Sequence, residues 1–163
     1  MDRTPTPSRA QERVRAALAA QGLTDVPVRE FSESTATAVD AATAIGTSVE
    51  CIVKSLVFAV GDRPILVLAS GPNRVDVSKL EQLIGKPVGR ANANRVREWT
   101  GFSIGGVPPV GHATPIDTYL DRDLLQYDCV WAALGTPNAV FAIDPNELAR
   151  ITNARVAEVA QVG

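Results

Sequence analysis

The sequence predicts an α+β fold, a single domain built on a mixed, curved β-sheet with short helices around it. Three observations carry this. Short apolar runs rich in β-branched residues recur along the chain, bounded by Gly, Pro, Asn or Asp. Two pairs of these runs are joined by tight-turn sequences and so read as antiparallel hairpins. Between the runs lie segments with apolar residues at helical spacing, opened by capping residues and closed by glycine. At 163 residues the chain fits one domain with a core that needs no staples.

Residues 1–7 hold two prolines and small polar residues and are expected to form a flexible arm, the domain itself covering 8–163. Ser8 fits a helix N-cap with Gln11 as its capping-box partner. Ala10, Val14, Ala17 and Leu18 form that helix's buried stripe, and Gly22 closes it. Val26 to Phe31 reads as a short strand. Thr37, with Asp40 three residues on, opens a second helix with Ala41, Ala42 and Ile45 inward and Gly46 at its end. Thr37 serves there as the cap or as a ligand contact.

Cys51 to Val60 is the most informative run. It reads as a strand, so Ile52, Lys54, Leu56, Phe58 and Val60 share one face and Cys51, Val53, Ser55, Val57 and Ala59 the other. Both faces are largely apolar, which predicts burial on both sides. An ammonium group placed there must reach water, find an anion or have its pKa lowered. Lys54 is thus either a terminal lysine with a solvated head or the residue that holds an anionic or carbonyl group of a ligand. Gly61-Asp62 turns the chain, and Pro64 to Ser70 returns as the second strand of a hairpin.

Gly71-Pro72-Asn73 is a loop. Asp76 to Ile84 reads as a helix with Leu80, Leu83 and Ile84 inward. Val88 to Ala91 is a short strand, and Asn92 or Asn94 caps a brief helix carrying Val96 and Trp99. These two helices read as packing elements. Next comes a glycine-proline stretch, Thr100 to His112. Gly105 and Gly106 permit positive φ or close approach of the backbone to a ligand, and Pro108 and Pro109 stiffen the path. Such a loop can aim N–H groups at a carbonyl or phosphate oxygen, or it is an ordinary tight loop. His112, the one histidine, reads as a hydrogen-bonded structural residue, with acid/base chemistry as the alternative. Ile116 to Leu120 is a strand and Asp121 to Leu125 a helical turn. Asp128 to Ala133 and Ala139 to Ile143 form a second hairpin around Gly135-Thr136-Pro137-Asn138. Asp144 or Asn146 caps a helix over Glu147 to Ile151, and the tail from Val156 packs as a short final element.

Composition narrows the function classes. A net charge of −2 lacks the basic balance of a general nucleic-acid coat. Arg90, Arg95 and Arg97 are the one local basic cluster before the glycine loop, either a nucleic-acid contact or a solvated face. Cys51 and Cys129 read as two buried free thiols. One histidine and no Cys/His cluster argue against structural zinc. No run is long enough to cross a bilayer and no signal peptide opens the chain, so a cytoplasmic protein with no membrane or DNA partner is expected.

Three stretches taken together resemble the YbaK/ProX family of aminoacyl-tRNA deacylases, which includes the editing domain of bacterial prolyl-tRNA synthetases. They are Thr37 through Phe58, Ser70-Gly71-Pro72-Asn73-Arg74-Val75-Asp76 on to Leu80, and Thr100-Gly101-Phe102 through His112. The matches keep family order and spacing over residues 30–150. The resemblance implies a barrel-like sheet and hydrolysis of the ester that joins a mischarged small amino acid, such as Ala, Ser or Thr, to the 3′ end of tRNA. It implies no cofactor and no metal. Its partners would be the acceptor end of aminoacyl-tRNA and, optionally, a synthetase. Lys54 matches the family's essential lysine, which holds the terminal phosphate or carbonyl region. Gly105 and Gly106 match the glycine loop whose amides bind the ester carbonyl or fix the amino acid. Phe31, Thr37, Ser55, His112 and Gly135 fall at substrate-binding positions. Where some bacterial members carry a serine and an aspartate near Gly135, this chain has Ala133 and Val140. Neither can supply a proton acceptor, which points to a water oriented by backbone groups and the substrate's ribose hydroxyl. A non-catalytic module that binds tRNA ends or a synthetase is the alternative on the same fold, and a small-molecule esterase is a third reading.

Overall fold

The computed structural model describes residues 7–31 and 37–162. The arm expected over residues 1–7 lies, up to residue 6, outside the described residues, as do Ser34, Thr35 and Ala36. Helix α1 runs Pro7–Ala20. Ser8 is therefore inside the helix and not its cap, because proline is well suited to a first helical turn. Val14 and Leu18 are buried, as their spacing requires. Strand β1 is Val28–Glu30, and α2 is Ala38–Ile45. The Thr37 hydroxyl accepts from the Asp40 N–H at 3.1 Å, so the cap forms as read, and Gly46 ends the helix at φ +84°.

Strands β2 (Val53–Val60) and β3 (Arg63–Ser70) form the expected hairpin, with Val53 opposite Ser70 and Val60 opposite Arg63. Directly opposed residues share a face. Val57 and Leu66 accordingly pack into the main core with Leu68, Leu120 and Phe141. Phe58 and Ile65 pack into a second cluster with Val67, Leu80 and Val159. The hairpin is covered on both faces, which is why its sequence is apolar throughout rather than alternating.

Helix α3 (Val77–Ile84) is capped by Asp76, β4 is Gly89–Arg90, and α4 (Ala93–Thr100) is capped by Asn92. Strand β5 (Asp117–Asp121) runs parallel to β3 and leads into a 3-10 turn over Arg122–Gln126. Strands β6 (Val130–Ala133) and β7 (Ala139–Ile143) form the second hairpin, α5 (Pro145–Thr152) is capped by Asp144, and β8 (Arg155–Ala157) closes the chain beside β5.

The strands lie in two sheets, ordered β4-β2-β3-β5-β8 and β1-β7-β6. They touch through one parallel bridge, Ile52 to Trp131. The larger sheet is mixed as expected, but the strands do not form a closed barrel. Among the described residues β1 pairs only with β7, β8 only with β5 and β4 only with β2, so the strand order does not close on itself. The outer edge of β2 meets β6 at Ile52 and β4 at Phe58 and Ala59. Between those points it has no strand partner among the described residues.

The cysteines are free, but the expectation of two buried thiols is not met. Cys51 is half-buried and Cys129 is exposed, because Cys129 lies one residue ahead of β6, outside the packed sheet. Among the described residues no helix is long and apolar enough to cross a membrane.

Phe141 is fully buried where the second sheet meets the main core. Phe141→Ala is expected to cost about 3–5 kcal/mol, read as a lower urea midpoint with an unchanged slope.

Candidate active site

The unpartnered edge of β2 opens onto a hollow of about 690 Å³. Residues 52–58 form its floor. The start of α2, from Thr37 to Ala41, makes one wall, and Ile104, Gly105 and Val107 make another. Trp131, Ala133 and Val140 of the second sheet also line it, with Thr136 from the turn between β6 and β7. The lining is mostly apolar, and its charged side chains among the described residues are Lys54 and Arg90. A strand edge without a partner presents backbone N–H and C=O groups that water or a ligand must satisfy.

Lys54 is held in place. Its Nζ donates to the Asn73 carbonyl at 2.5 Å. The Asn73 side-chain amide in turn donates to Asp121 and to Asp123, each at 2.8 Å. Asp121 is buried and also accepts the backbone N–H groups of Ser70 (3.1 Å) and Asp123 (3.0 Å). The loop Gly71-Pro72-Asn73 is therefore the cradle of the lysine. Burial pushes the Lys54 pKa below the ordinary lysine value, the nearby Arg74 guanidinium pushes it further down, and the Asp121 carboxylate opposes both.

The glycine loop is fixed from behind by α1. The Arg13 guanidinium reaches the carbonyls of Gly101 (3.5 Å) and Gly111 (3.4 Å) and stacks on Phe102 at 4.8 Å. Gly105 takes φ +92°, which an L side chain rarely adopts. Gly106 has an ordinary φ and is needed for closeness: a Cβ there would sit 3.1 Å from the Gly135 carbonyl oxygen. The Gly106 N–H donates to Ser103 O at 3.0 Å, while the Gly105 N–H has no hydrogen-bond partner among the described residues.

Of the residues singled out in the sequence, Lys54, Ser55, Thr37 and Gly105 line the hollow together. Thr37 is the helix cap and also lines the hollow. Among the described residues the buried Ser55 hydroxyl has no hydrogen-bond partner. Gly106 and Gly135 lie one layer back, packed on each other. Phe31 is tied to the Gly135–Asn138 turn by its backbone, its N–H donating to Asn138 O at 2.8 Å. His112 also stands outside the lining. Its Nε2 lies 2.7 Å from Pro108 O, a carbonyl that can only accept, so that nitrogen carries the proton. Burial and Arg13 lower its pKa against that hydrogen bond, which leaves the ring neutral at neutral pH. Of the three clustered arginines only Arg90 faces the hollow. Arg95 pairs with Asp62 at 3.4 Å and stacks on Trp99. Helix α4 is not purely packing, since Val96 lines the hollow.

Sequence reading missed Trp131, Val107 and the Asn73–Asp121 clamp. Trp131 was within reach, since it stands two residues from Ala133 in a strand and so shares its face. The clamp left no local signal, because Asp121 lies 48 residues from Asn73.

Comparison with known proteins agrees with this geometry. A family model for the aminoacyl-tRNA editing domain matches residues 32–151. The uncharacterized protein YwhH of Bacillus subtilis is 38% identical over 130 residues, covering 79% of this chain and 83% of that protein. EbsC of Enterococcus faecalis, proposed to be a Cys-tRNA(Pro)/Cys-tRNA(Cys) deacylase, is 28% identical over 141 residues, 82% of this chain and 85% of EbsC. A crystal structure of a proposed trans-editing enzyme for prolyl-tRNA synthetase superposes with a TM-score of 0.90 at 48% identity, covering 97% of this chain and 99% of that one.

The charges around Lys54 set the sign of a titration experiment. Lys54 loses its proton as pH rises through its lowered pKa. Arg74→Ala removes a repulsion and is expected to move that titration to higher pH. Asp121→Asn removes an attraction and should move it lower. The 13Cε shift of Lys54 followed against pH reads both, and shifts of the same sign would contradict the assignment.

Proposed function

This chain belongs to the aminoacyl-tRNA editing domain family, and we propose that it is a free-standing editing hydrolase that deacylates mischarged tRNA. The observation that carries this reading is the convergence of Lys54 and the Gly105 loop on one hollow at an open strand edge. An aminoacyl ester is already activated, so a site of this kind needs orientation and carbonyl polarisation more than a strong nucleophile.

In this reading Lys54 holds the terminal phosphate or the carbonyl region of the substrate, with the Asn73 carbonyl fixing where the ammonium sits. The Gly105 N–H donates to the ester carbonyl oxygen as charge develops on it. Gly106, whose own N–H is taken by Ser103, serves by letting the loop lie against Gly135. No carboxylate or imidazole lines the hollow among the described residues. The attacking water is therefore oriented by backbone groups and by the ribose hydroxyl next to the ester. Thr37 and Ser55 are substrate-side contacts, while Phe31, His112 and Gly135 act through the loops they hold.

The amino acid removed is small. Trp131, Val107 and Val140 bound the hollow with apolar bulk, which admits alanine, serine or threonine. The likeness to EbsC adds cysteine to that set. Size exclusion of a larger cognate residue is what a second sieve needs, because a binding site alone discriminates poorly against a smaller side chain. The protein would act in the cytoplasm on the acceptor end of aminoacyl-tRNA, with a synthetase as an optional partner.

A panel of mischarged tRNAs incubated with the purified chain tests the activity. Ester loss on a small-residue member is expected. Binding to every member without ester loss would instead support a non-catalytic module. Lys54→Ala is expected to lower deacylation about 100-fold or more while its melting temperature stays near that of the parent. Undiminished turnover by that variant would remove Lys54 from the mechanism.

A further inference from the structure

A second hollow, of about 480 Å³, continues from the first across Lys54. The two share Lys54, Leu56, Phe58 and Arg90, so the β2 face that carries the lysine runs through both. The second hollow adds Arg74 from the loop after β3, and Gln161 closes its far side. No acidic side chain lines it among the described residues. Its arginines also lack ion-pair partners there. Lys79, Arg95, Arg122 and Arg150 each have a carboxylate within 4.0 Å, whereas Arg74 and Arg90 have none among the described residues. The Gln161 N–H donates to the Arg74 carbonyl at 2.8 Å, which anchors the backbone of the Arg74 segment on the C-terminal tail.

Three cations thus share an opening whose lining holds no carboxylate among the described residues, although Asp121, bound to the Asn73 side chain, acts on Lys54 from outside that lining. Burial lowers the Lys54 pKa first, the Arg74 charge adds to that, and Asp121 opposes both. An arrangement of this kind is relieved by a bound anion. Its position decides which anion. The second hollow adjoins the first along Lys54, Leu56, Phe58 and Arg90, so Lys54 stands at the join.

We propose that the second hollow binds the phosphodiester backbone of the single-stranded 3′ end of tRNA, with Arg74 and Arg90 each contacting a phosphate upstream of the terminal adenosine. This rests on the deacylase reading and extends it. The ester enters the first hollow, the strand leaves through the second, and Lys54 spans the two. Neither arginine reads base edges, so the contact positions any tRNA bearing the common single-stranded end and leaves selection of the amino acid to the first hollow.

The test compares two substrates, a mischarged tRNA and the same amino acid esterified to adenosine with no phosphate. In the Arg74→Gln/Arg90→Gln variant, the ratio of kcat/KM on tRNA to kcat/KM on the adenosine ester is expected to fall at least tenfold. The salt dependence on tRNA should become shallower by about 1.4 in log–log slope, at roughly 0.7 for each single-strand phosphate lost. Arg74→Lys, made alone, should retain most of the parent ratio, since it keeps the charge. An unchanged ratio and slope in the double variant would overturn the proposal, as would an equal loss on both substrates. If the parent hydrolyses neither ester, the deacylase reading fails, and the cradle is judged by anisotropy of uncharged tRNA. Weaker binding by the double variant, by tenfold or more, supports it. Equal binding, or displacement by inorganic phosphate at the same concentration as by tRNA, overturns it.

Discussion

The hydrogen bond from the Lys54 ammonium to the Asn73 carbonyl is the contact on which the rest of the site depends. A lysine on a strand packed on both faces would otherwise sample several rotamers or seek water. Here a neutral carbonyl receives it, and the carboxylates that grip Asn73 hold that carbonyl in place. The Lys54 amine thus has a neutral partner and no direct carboxylate among the described residues. A direct ion pair would satisfy the lysine and leave it little reason to bind a substrate anion. A carbonyl acceptor satisfies one of its three donors and leaves the others for a ligand.

The second constraint is the break in pairing along β2. Had β4 or β6 run the full length of that edge, the sheet would be continuous and there would be no hollow. Strand β4 spans only Gly89–Arg90, and among the described residues β6 pairs on this side only at the Ile52–Trp131 bridge, one residue ahead of β2. The site therefore occupies a place where the backbone itself is under-satisfied, with the glycine loop laid over it. Arg13 sets the loop from the far side by gripping the carbonyls at Gly101 and Gly111. The two glycines in the loop do different work. Gly105 turns the chain at positive φ, and Gly106 lets the loop touch the Gly135 backbone. An alanine would meet strain at the first position and a collision at the second.

Much of this protein was open to a reading of its sequence. The hairpin from Val53 to Ser70, the Thr37 cap, the choice of caps narrowed to Asn92 or Asn94 and to Asp144 or Asn146, and the Gly46 stop of α2 follow from side-chain alternation, capping hydrogen bonds and the conformational freedom of glycine. Those are interactions between residues close in sequence, so local pattern suffices to specify them. Lys54 could be singled out for the same reason, as a charge out of place in an apolar run. Tertiary structure alone decided that the sheet stays open, that Cys129 is exposed and His112 stands outside the hollow, and that Asn73 and Asp121 seat the lysine. Each depends on which segments meet after distant parts of the chain have packed. Burial and hydrogen-bond partnership between remote residues are set by that packing, and no spacing in the sequence encodes them.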